Sequence, residues 1–242
     1  MKITFLGSSH GAPEPNRKCS SIMLECGEKI YIIDIGCDIT PDLVNRGLTP
    51  KDISAVFVTH SHGDHINGLV PFVNLCSWLY TDADPLILLP EIKIVEALKI
   101  WYAFVDGFRD SIRFAQIEEG VIFDDGTIRV RAMHTGHLKN SYAFMVEGEG
   151  KKALFTGDIQ NPDGATVDYA RYVTEDGIDL VVAEAAHLDP LTYIGPIRRH
   201  PPKRFLINHY NWEREERAEH LINELKDELD IRLATDGLEV RL

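Results

Sequence analysis

The sequence is poor in cysteine, in long hydrophobic runs and in positive charge. Only four cysteines occur among 242 residues, and no two have Cys-x-x-Cys spacing, which argues against a thiolate zinc site and against a disulfide scaffold. No run approaches the ~20 apolar residues that a membrane span requires, and the N-terminal apolar stretch is too short for a signal peptide. We therefore expect reduced thiols, no membrane association and a cytoplasmic location.

Basic residues are outnumbered, because 25 Lys and Arg face 38 Asp and Glu, giving a net charge of -13. An acidic protein repels phosphate backbones at long range, so the charge disfavours long nucleic acids and anionic membranes as partners. The hydrophobic fraction of 44% supplies a sizeable core and disfavours disorder. Linkers rich in Pro or Ser, low-complexity tracts and heptad arrays are also missing, so we predict one domain over residues 1–242.

Short apolar runs separated by Gly, Pro and Asn predict a chain rich in strands. The predicted strands are Ile3–Leu6, Ser21–Glu25, Ile30–Asp34, Ala55–Val58, Ile112–Ile117, Val121–Phe123, Ile128–Met133, Tyr142–Val146, Ala153–Phe155, Asp179–Ala183, Arg204–Ile207, Ile231–Ala234 and Leu238–Leu242. The predicted helices are one through Pro71 to about Tyr80, one over Glu91–Phe104 and one over Glu213–Glu228. This order predicts an α/β fold in which two sheets are flanked by helices.

Three histidines and a carboxylate lie within six residues, in His60-Ser61-His62-Gly63-Asp64-His65. In an extended segment, positions i and i+2 face the same way, about 6.6 Å apart along the strand, so His60 and His62 are placed to bind one cation. Gly63 permits a turn that sends Asp64 and His65 toward a second cation. Imidazole and carboxylate ligands suit zinc first, with manganese or iron as alternatives. The competing interpretation is a surface histidine loop without a metal.

Two further candidates follow buried apolar runs. Asp158 comes after Leu154-Phe155-Thr156-Gly157, and His209 comes after Phe205-Leu206-Ile207-Asn208. His60 stands at the end of a run of the same kind, and functional groups cluster at strand ends. We therefore expect Asp158 to bridge two metals and His209 to bind the second one. Each residue taken alone also fits a capping or core polar role.

One more histidine ligand is needed, and two compete for the position. His134 and His137 both lie in Met133-His134-Thr135-Gly136-His137-Leu138, and residue chemistry alone does not separate them.

The histidine motif resembles the signature of the metallo-β-lactamase superfamily, and the later single His, Gly-Asp and late His follow that family's order. Within it, Phe5-Leu6-Gly7-Ser8-Ser9 and His137-x-x-x-Ser141-Tyr142-Ala143-Phe144 resemble the ribonuclease Z-like branch and its small phosphodiesterase relatives. The resemblance implies an αββα sandwich of two mixed sheets flanked by helices. It implies two divalent cations held by His60, His62, Asp64, His65, His137, Asp158 and His209. It also selects His137 over His134 and gives Asp34 the role of orienting the metal-binding loop.

Two departures from this branch bear on function. The branch has a histidine, its proton donor, just before a Glu-Ala pair, where this chain has Ala183 before Glu184-Ala185. His187, three residues later, is the candidate replacement as general acid. The tRNA-processing members carry a long basic arm rich in Gly and Pro, and this sequence has no such insertion. A small-molecule substrate is therefore favoured over a long RNA.

The resemblance predicts a metal-dependent hydrolase, most simply a phosphodiesterase in which a metal-bridging hydroxide attacks phosphorus and Asp64 relays its proton. The same site serves hydrolysis of a carboxylic ester, thioester or lactone, and a non-catalytic metal or ligand sensor is the alternative from another class. Aromatic residues between the metal motifs form either a wall beside the substrate or ordinary helix core. These aromatics are Trp78, Tyr80, Trp101, Tyr102, Phe104 and Phe108. A homodimer is left open.

Overall fold

The apolar runs build two mixed sheets that pack face to face. The computed structural model describes residues 1–105, 107–159 and 177–242. The strands there are β1 (Lys2–Gly7), β2 (Ser21–Cys26), β3 (Lys29–Ile35), β4 (Ile53–Phe57), β5 (Leu86–Leu89), β6 (Arg113–Gln116), β7 (Gly120–Asp124), β8 (Ile128–His134), β9 (Tyr142–Gly148), β10 (Lys151–Phe155), β11 (Leu180–Glu184), β12 (Arg204–Asn208), β13 (Asp230–Leu233) and β14 (Glu239–Arg241). The two sheets have the orders β14-β1-β2-β3-β4-β5-β6 and β13-β12-β11-β10-β9-β8-β7.

Each sheet combines antiparallel hairpins with a parallel half. In the first sheet, β3 to β6 are parallel neighbours, and in the second, β10 to β13 are. The carboxyl ends of parallel strands in one sheet lie at the same edge. The polar residues that follow β4, β10 and β12 therefore gather at one end of the sandwich, as the sequence predicts.

Helices cover the outer faces of both sheets. They are α1 (Thr40–Asn45), α2 (Gly63–Ile66), α3 (Leu69–Trp78), α4 (Ile94–Tyr102), α5 (Ile194–Arg199) and α6 (Trp212–Leu225), with short 3-10 turns at Pro50–Asp52 and Pro190–Tyr193. In the part of the chain that the structure describes, no helix has the length and apolar character needed to cross a bilayer.

The core has three layers, which follow from the alternation of side chains along each strand. Between the sheets, Phe5 and Phe57 of the first sheet meet Phe144 and Phe155 of the second. A second cluster packs α3 and α4 on the outside of the first sheet, and a third packs α5 and α6 on the second. This αββα sandwich confirms the predicted fold class.

Each predicted strand overlaps an observed one, whereas β5, α1, α2 and α5 were not anticipated. The predicted helix Glu91–Phe104 begins later, at Ile94, because residues 91–93 form turns in which Ile94 N donates to Glu91 O. The predicted helix Glu213–Glu228 ends at Leu225, where the chain passes into turns. These are boundary errors of a few residues, since end turns and helices share the same periodicity.

Candidate metal centre

The first group of site residues lies at the end of β4 and in the loop after β8. His60 Nε2 lies 3.0 Å from His62 Nδ1, which lies 3.1 Å from His137 Nε2. Asp158 Oδ2 lies 3.4 Å from His60 Nε2 and 3.6 Å from His137 Nε2. Four ligands at about 2.05 Å around a tetrahedral ion are about 3.3 Å apart, so these separations fit one divalent cation.

The second group uses the other oxygen of the same aspartate. Asp158 Oδ1 lies 3.3 Å from His65 Nε2 and 3.4 Å from His209 Nε2. Asp64 Oδ2 lies 3.5 Å and 3.6 Å from the same two nitrogens. These spacings also match a tetrahedral cation, so the structure brings all seven sequence-predicted ligands into two sets that share Asp158.

Local backbone geometry explains why these side chains converge. Gly157 has φ +56°, and a Cβ there would lie 2.9 Å from the Tyr142 carbonyl oxygen, so only glycine allows the turn that presents Asp158. His209 has φ +49° and Asp34 has φ +57°, a left-handed conformation that costs an ordinary residue about 1–2 kcal/mol. Such strain persists only where the surrounding structure holds it.

Asp34 supports the metal loop from beneath. It is the extra residue at an irregularity between β2 and β3, and its carboxylate is buried. The carboxylate accepts hydrogen bonds from Thr59 N at 2.7 Å and Thr59 Oγ1 at 2.9 Å, and lies 2.7 Å from His65 Nδ1. A carboxylate on the outer nitrogen of a ligating histidine fixes the ring and raises its basicity. This geometry agrees with the orienting role that the resemblance implies for Asp34, and Thr59 is a partner that sequence reasoning missed.

Burial and mutual proximity control protonation at the site. Burial and neighbouring histidines lower the pKa of His60 to about 2, and burial lowers the pKa of His137 and His209. Burial alone would raise the pKa of Asp158, but His209 and His65 outweigh it and hold that pKa well below its ordinary value. At His65 burial lowers the pKa, but Asp158 and Asp34 outweigh burial and raise that pKa well above its ordinary value. Metals bind neutral imidazoles and an ionised carboxylate, so His65 has to release a proton when a metal binds.

His187 lies at the rim of the same cluster. Its Nδ1 is 3.1 Å from both Glu184 carboxylate oxygens and 3.5 Å from Asp158 Oδ2, and its ring centroid is 4.7 Å from that of His137. Burial lowers the pKa of His187, but the hydrogen bond and charge of Glu184 outweigh it and raise that pKa to about 9. The side chain is 27% exposed, so it lies between the buried cluster and solvent.

Glu184 itself is a site residue that sequence reasoning did not identify as an anchor. Its buried carboxylate accepts hydrogen bonds from the backbone N–H groups of Ile159, Ala186 and His187 at 2.8–3.0 Å. It ends β11, so the strand-end pattern that marked His60, Asp158 and His209 would have found it too.

The other candidates are not part of the cluster. His134 Nε2 lies 2.7 Å from the Lys139 carbonyl oxygen, so its side chain is tied to its own loop.

The aromatic residues between the motifs divide into two groups. Tyr102 is buried, and Tyr80 and Phe108 pack against the outer core. Trp78, Trp101 and Phe104 are exposed, so neither a continuous wall nor a plain helix core describes the whole set.

This fold and this paired His/Asp cluster are those of a metallo-β-lactamase fold protein. Over residues 1–185 the chain matches the family model described as Anti-Pycsar protein Apyc1, and it belongs to that family.

Individual relatives are more distant. Ribonuclease Z of Listeria innocua is 28% identical over 200 residues, which cover 81% of this chain and 65% of that protein, so the chain spans just under two thirds of the relative. Among solved structures, human tRNase Z short form (ELAC1) superposes with a TM-score of 0.77 at 20% identity, covering 100% of this chain and 99% of that one. The metallo-beta-lactamase fold protein YhfI from Bacillus subtilis has a TM-score of 0.78 at 17% identity, covering 99% of each chain. These structures support the fold.

Proposed function

We propose that this protein is a phosphodiesterase that uses two divalent cations, zinc in the first instance, to hydrolyse a small phosphodiester. The observation that carries the proposal is the division of Asp158, which directs Oδ2 to His60 and His137 and Oδ1 to His65 and His209. A carboxylate shared in this way suits a dinuclear centre. The ribonuclease name of the relatives supports a phosphodiester rather than a carboxylic ester.

Two cations in these positions would supply a hydroxide at neutral pH and neutralise the charge that develops on the phosphoryl group. The chain's own groups set the geometry. Asp64 extends from α2 at the edge of the cluster and is placed to accept the proton of the attacking water. Asp34 keeps the His65 ring fixed, so that the ligands of the second cation need no reorganisation during the reaction.

His187 is the proposed proton donor to the leaving oxygen. Glu184 engages Nδ1, so Nε2 is the nitrogen that holds the transferable proton. Backbone N–H groups hold the Glu184 carboxylate in place. Glu184 in turn orients the His187 ring, as a carboxylate orients the histidine in other acid–base sites.

The segment that joins the metal motifs favours a small substrate. Between His137 and Asp158 the chain makes only the β9–β10 hairpin, in which Gly148 pairs with Lys151 across a two-residue turn, and the net charge is -13. Neither feature offers a basic surface for a long RNA. The smallest nucleotide diester, a nucleoside 3′,5′-cyclic phosphate, would satisfy both the ribonuclease-like chemistry and the absence of an insertion between His137 and Asp158.

The decisive assay compares substrates on metal-free protein reloaded with zinc, manganese or iron. We expect metal-dependent turnover of bis-p-nitrophenyl phosphate and of a cyclic nucleotide, abolished by Asp158→Asn and retained in His134→Ala, which changes a histidine outside the cluster. Lactone turnover more than a hundredfold faster than either phosphodiester would reassign the protein as a carboxylic ester or lactone hydrolase. Site-specific cleavage of a precursor tRNA would overturn the small-substrate proposal, and stoichiometric metal binding without turnover would indicate a sensor.

A leaving-group series tests His187. An alkyl phosphodiester needs a proton on its leaving oxygen, whereas a nitrophenolate leaves without one. We expect His187→Ala to reduce turnover of the alkyl substrate about 100-fold or more and of bis-p-nitrophenyl phosphate by less than about 5-fold. Equal losses on both substrates would remove His187 from the proton-donor role.

A further inference from the structure

The loop from Ser8 to Lys18 packs against the segment that follows His209. We propose that Arg17 of this loop is a positioning residue, which braces the backbone of Tyr210 and thereby holds His209 in its metal-binding orientation. The inference rests on the proposed function in so far as it takes His209 as a metal ligand.

Arg17 contacts Tyr210 in two ways. Its Nη1 donates a hydrogen bond to the Tyr210 carbonyl oxygen at 3.1 Å, and its guanidinium carbon lies 4.0 Å from the centroid of the Tyr210 ring. The Arg17 side chain is 11% exposed. A guanidinium that donates to a carbonyl and stacks on the ring of the same residue fixes both the backbone and the side chain of that residue.

Glu14 completes the brace and neutralises its charge. It forms an ion pair with Arg17, and its Oε1 accepts a hydrogen bond from Trp212 N at 3.1 Å and lies 3.3 Å from His10 Nε2. Arg17 and Glu14 therefore form hydrogen bonds with the backbone on both sides of Asn211, at Tyr210 and Trp212.

The loop is also fixed at both ends. Asp236 accepts hydrogen bonds from Ser8 N and Ser8 Oγ at 2.9 Å and from Lys18 N at 2.8 Å, and Ser9 forms an isolated bridge with Tyr210. A loop held by one carboxylate at its two ends has little freedom left, so it can act as a rigid support for its neighbour.

His209 lacks an orienting contact that His65 and His60 have. Its Nδ1, like that of His137, is buried and has no hydrogen-bond partner among the described residues, whereas His65 Nδ1 faces Asp34 and His60 Nδ1 faces Thr59. Ligating histidines are usually oriented by a hydrogen bond to that outer nitrogen. His209 also has a left-handed backbone conformation. Two backbone contacts hold this segment: Ala185 N donates to His209 O at 3.2 Å, and Arg17 donates to Tyr210 O. We therefore attribute the direction of the His209 ring to these contacts.

The first test is metal binding by the full chain, measured by titration calorimetry and competition with a chromogenic chelator. We expect Arg17→Met to weaken one of the two bound zinc ions about 10- to 100-fold and to leave the other within about 3-fold, with Arg17→Lys in between. Arg109→Met is the matched control, because Arg109 also donates to backbone carbonyls, those of Thr81 and Ala83, away from the site. Equal weakening of both ions, or a change no larger than in Arg109→Met, would overturn the proposal.

The second test needs neither metal nor turnover. In metal-free protein, we expect Arg17→Met to speed amide hydrogen exchange at Ala185, whose N–H donates to His209 O, at least 10-fold, with no change in Arg109→Met. Unchanged exchange at Ala185 would overturn the brace. Absence of two metal sites in the unmodified protein, with accelerated exchange in the variant, would refute the dinuclear proposal and leave the brace standing.

Discussion

Gly36 lies against the peptide of Asp64, and its replacement by alanine is the sharpest structural test of how the metal loop is held. A Cβ at Gly36 would overlap the Asp64 carbonyl group and lie 2.9 Å from the Ser20 carbonyl oxygen. These are backbone atoms, so no side-chain rotation relieves the overlap. Gly36 N donates to Ser20 O at 2.9 Å and Ser21 Oγ at 3.1 Å, and these hydrogen bonds restrict movement of the Gly36 backbone away from Asp64.

Gly36→Ala therefore has to displace the Asp64 backbone by about 1 Å or more. Overpacking of this kind costs about 1–3 kcal/mol, and a misplacement of about 1 Å in a catalytic group costs about 100-fold in rate. We expect the free energy of unfolding to fall by about 2 kcal/mol, the melting temperature by about 5–8 °C, and metal-dependent turnover by about 100-fold.

Gly11→Ala is the matched control, because no atom of the described residues lies within 4 Å of a Cβ at that position. It should change the free energy of unfolding by less than about 0.5 kcal/mol and leave turnover unchanged. Denaturant unfolding and the phosphodiester assay report the two effects separately. If Gly36→Ala stays within 0.5 kcal/mol and about 3-fold of the unmodified protein, close backbone packing does not position Asp64.

Three further predictions concern support, pH and metal. Asp34→Asn puts an amide where the carboxylate accepts from Thr59 N, so zinc affinity should fall about 10- to 100-fold in chelator competition. Burial raises the pKa of Asp125, but Lys29 and backbone N–H groups lower it to about 2, below its ordinary value. The lowered pKa of Asp125 adds roughly 2 kcal/mol to the free energy of unfolding above about pH 4, and this contribution is lost as the pH falls toward 2. Acid unfolding should show that loss in the unmodified protein and not in Asp125→Asn. Stripping the metals should lower the calorimetric melting temperature by several degrees, since zinc at about 100 times its Kd stabilises by about 2.7 kcal/mol, and an unchanged melting temperature would argue against tight binding.

Elements with an unambiguous local pattern could be predicted from sequence. Val56-Phe57-Val58 and Phe205-Leu206-Ile207 are apolar on both faces, which predicts interior strands; Phe205–Ile207 lies in β12, and Val56 and Phe57 lie in β4, which ends one residue before Val58. Leu86–Leu89 is a short apolar run of the same kind, between Pro85 and Pro90, and it is not among the predicted strands although it forms β5. Its parallel neighbours β4 and β6 pair with it on both sides.

In the candidate site, too, local spacing predicts some residue positions, whereas others depend on how distant segments fold together. The i, i+2 spacing of His60 and His62 specifies a shared direction, because it depends only on strand geometry. The choice between His134 and His137 depends on how the loop after β8 folds back, which spacing does not encode. The structure brings His137 Nε2 to 3.1 Å from His62 Nδ1, whereas His134 turns to the carbonyl of Lys139.

The position of the proposed general acid is the feature of the site that is hardest to predict by sequence comparison alone. Ala183 is fully buried in the outer cluster of the second sheet, so a histidine there would require repacking of that core. Glu184 ends β11 and is buried, and its carboxylate lies 3.1 Å from His187 Nδ1. His187 reaches it from the following turn, because Glu184 also accepts from His187 N at 2.8 Å. The proposed acid, His187, therefore lies four residues after Ala183 and three after Glu184, and its pairing with the Glu184 carboxylate is what the proposed chemistry requires.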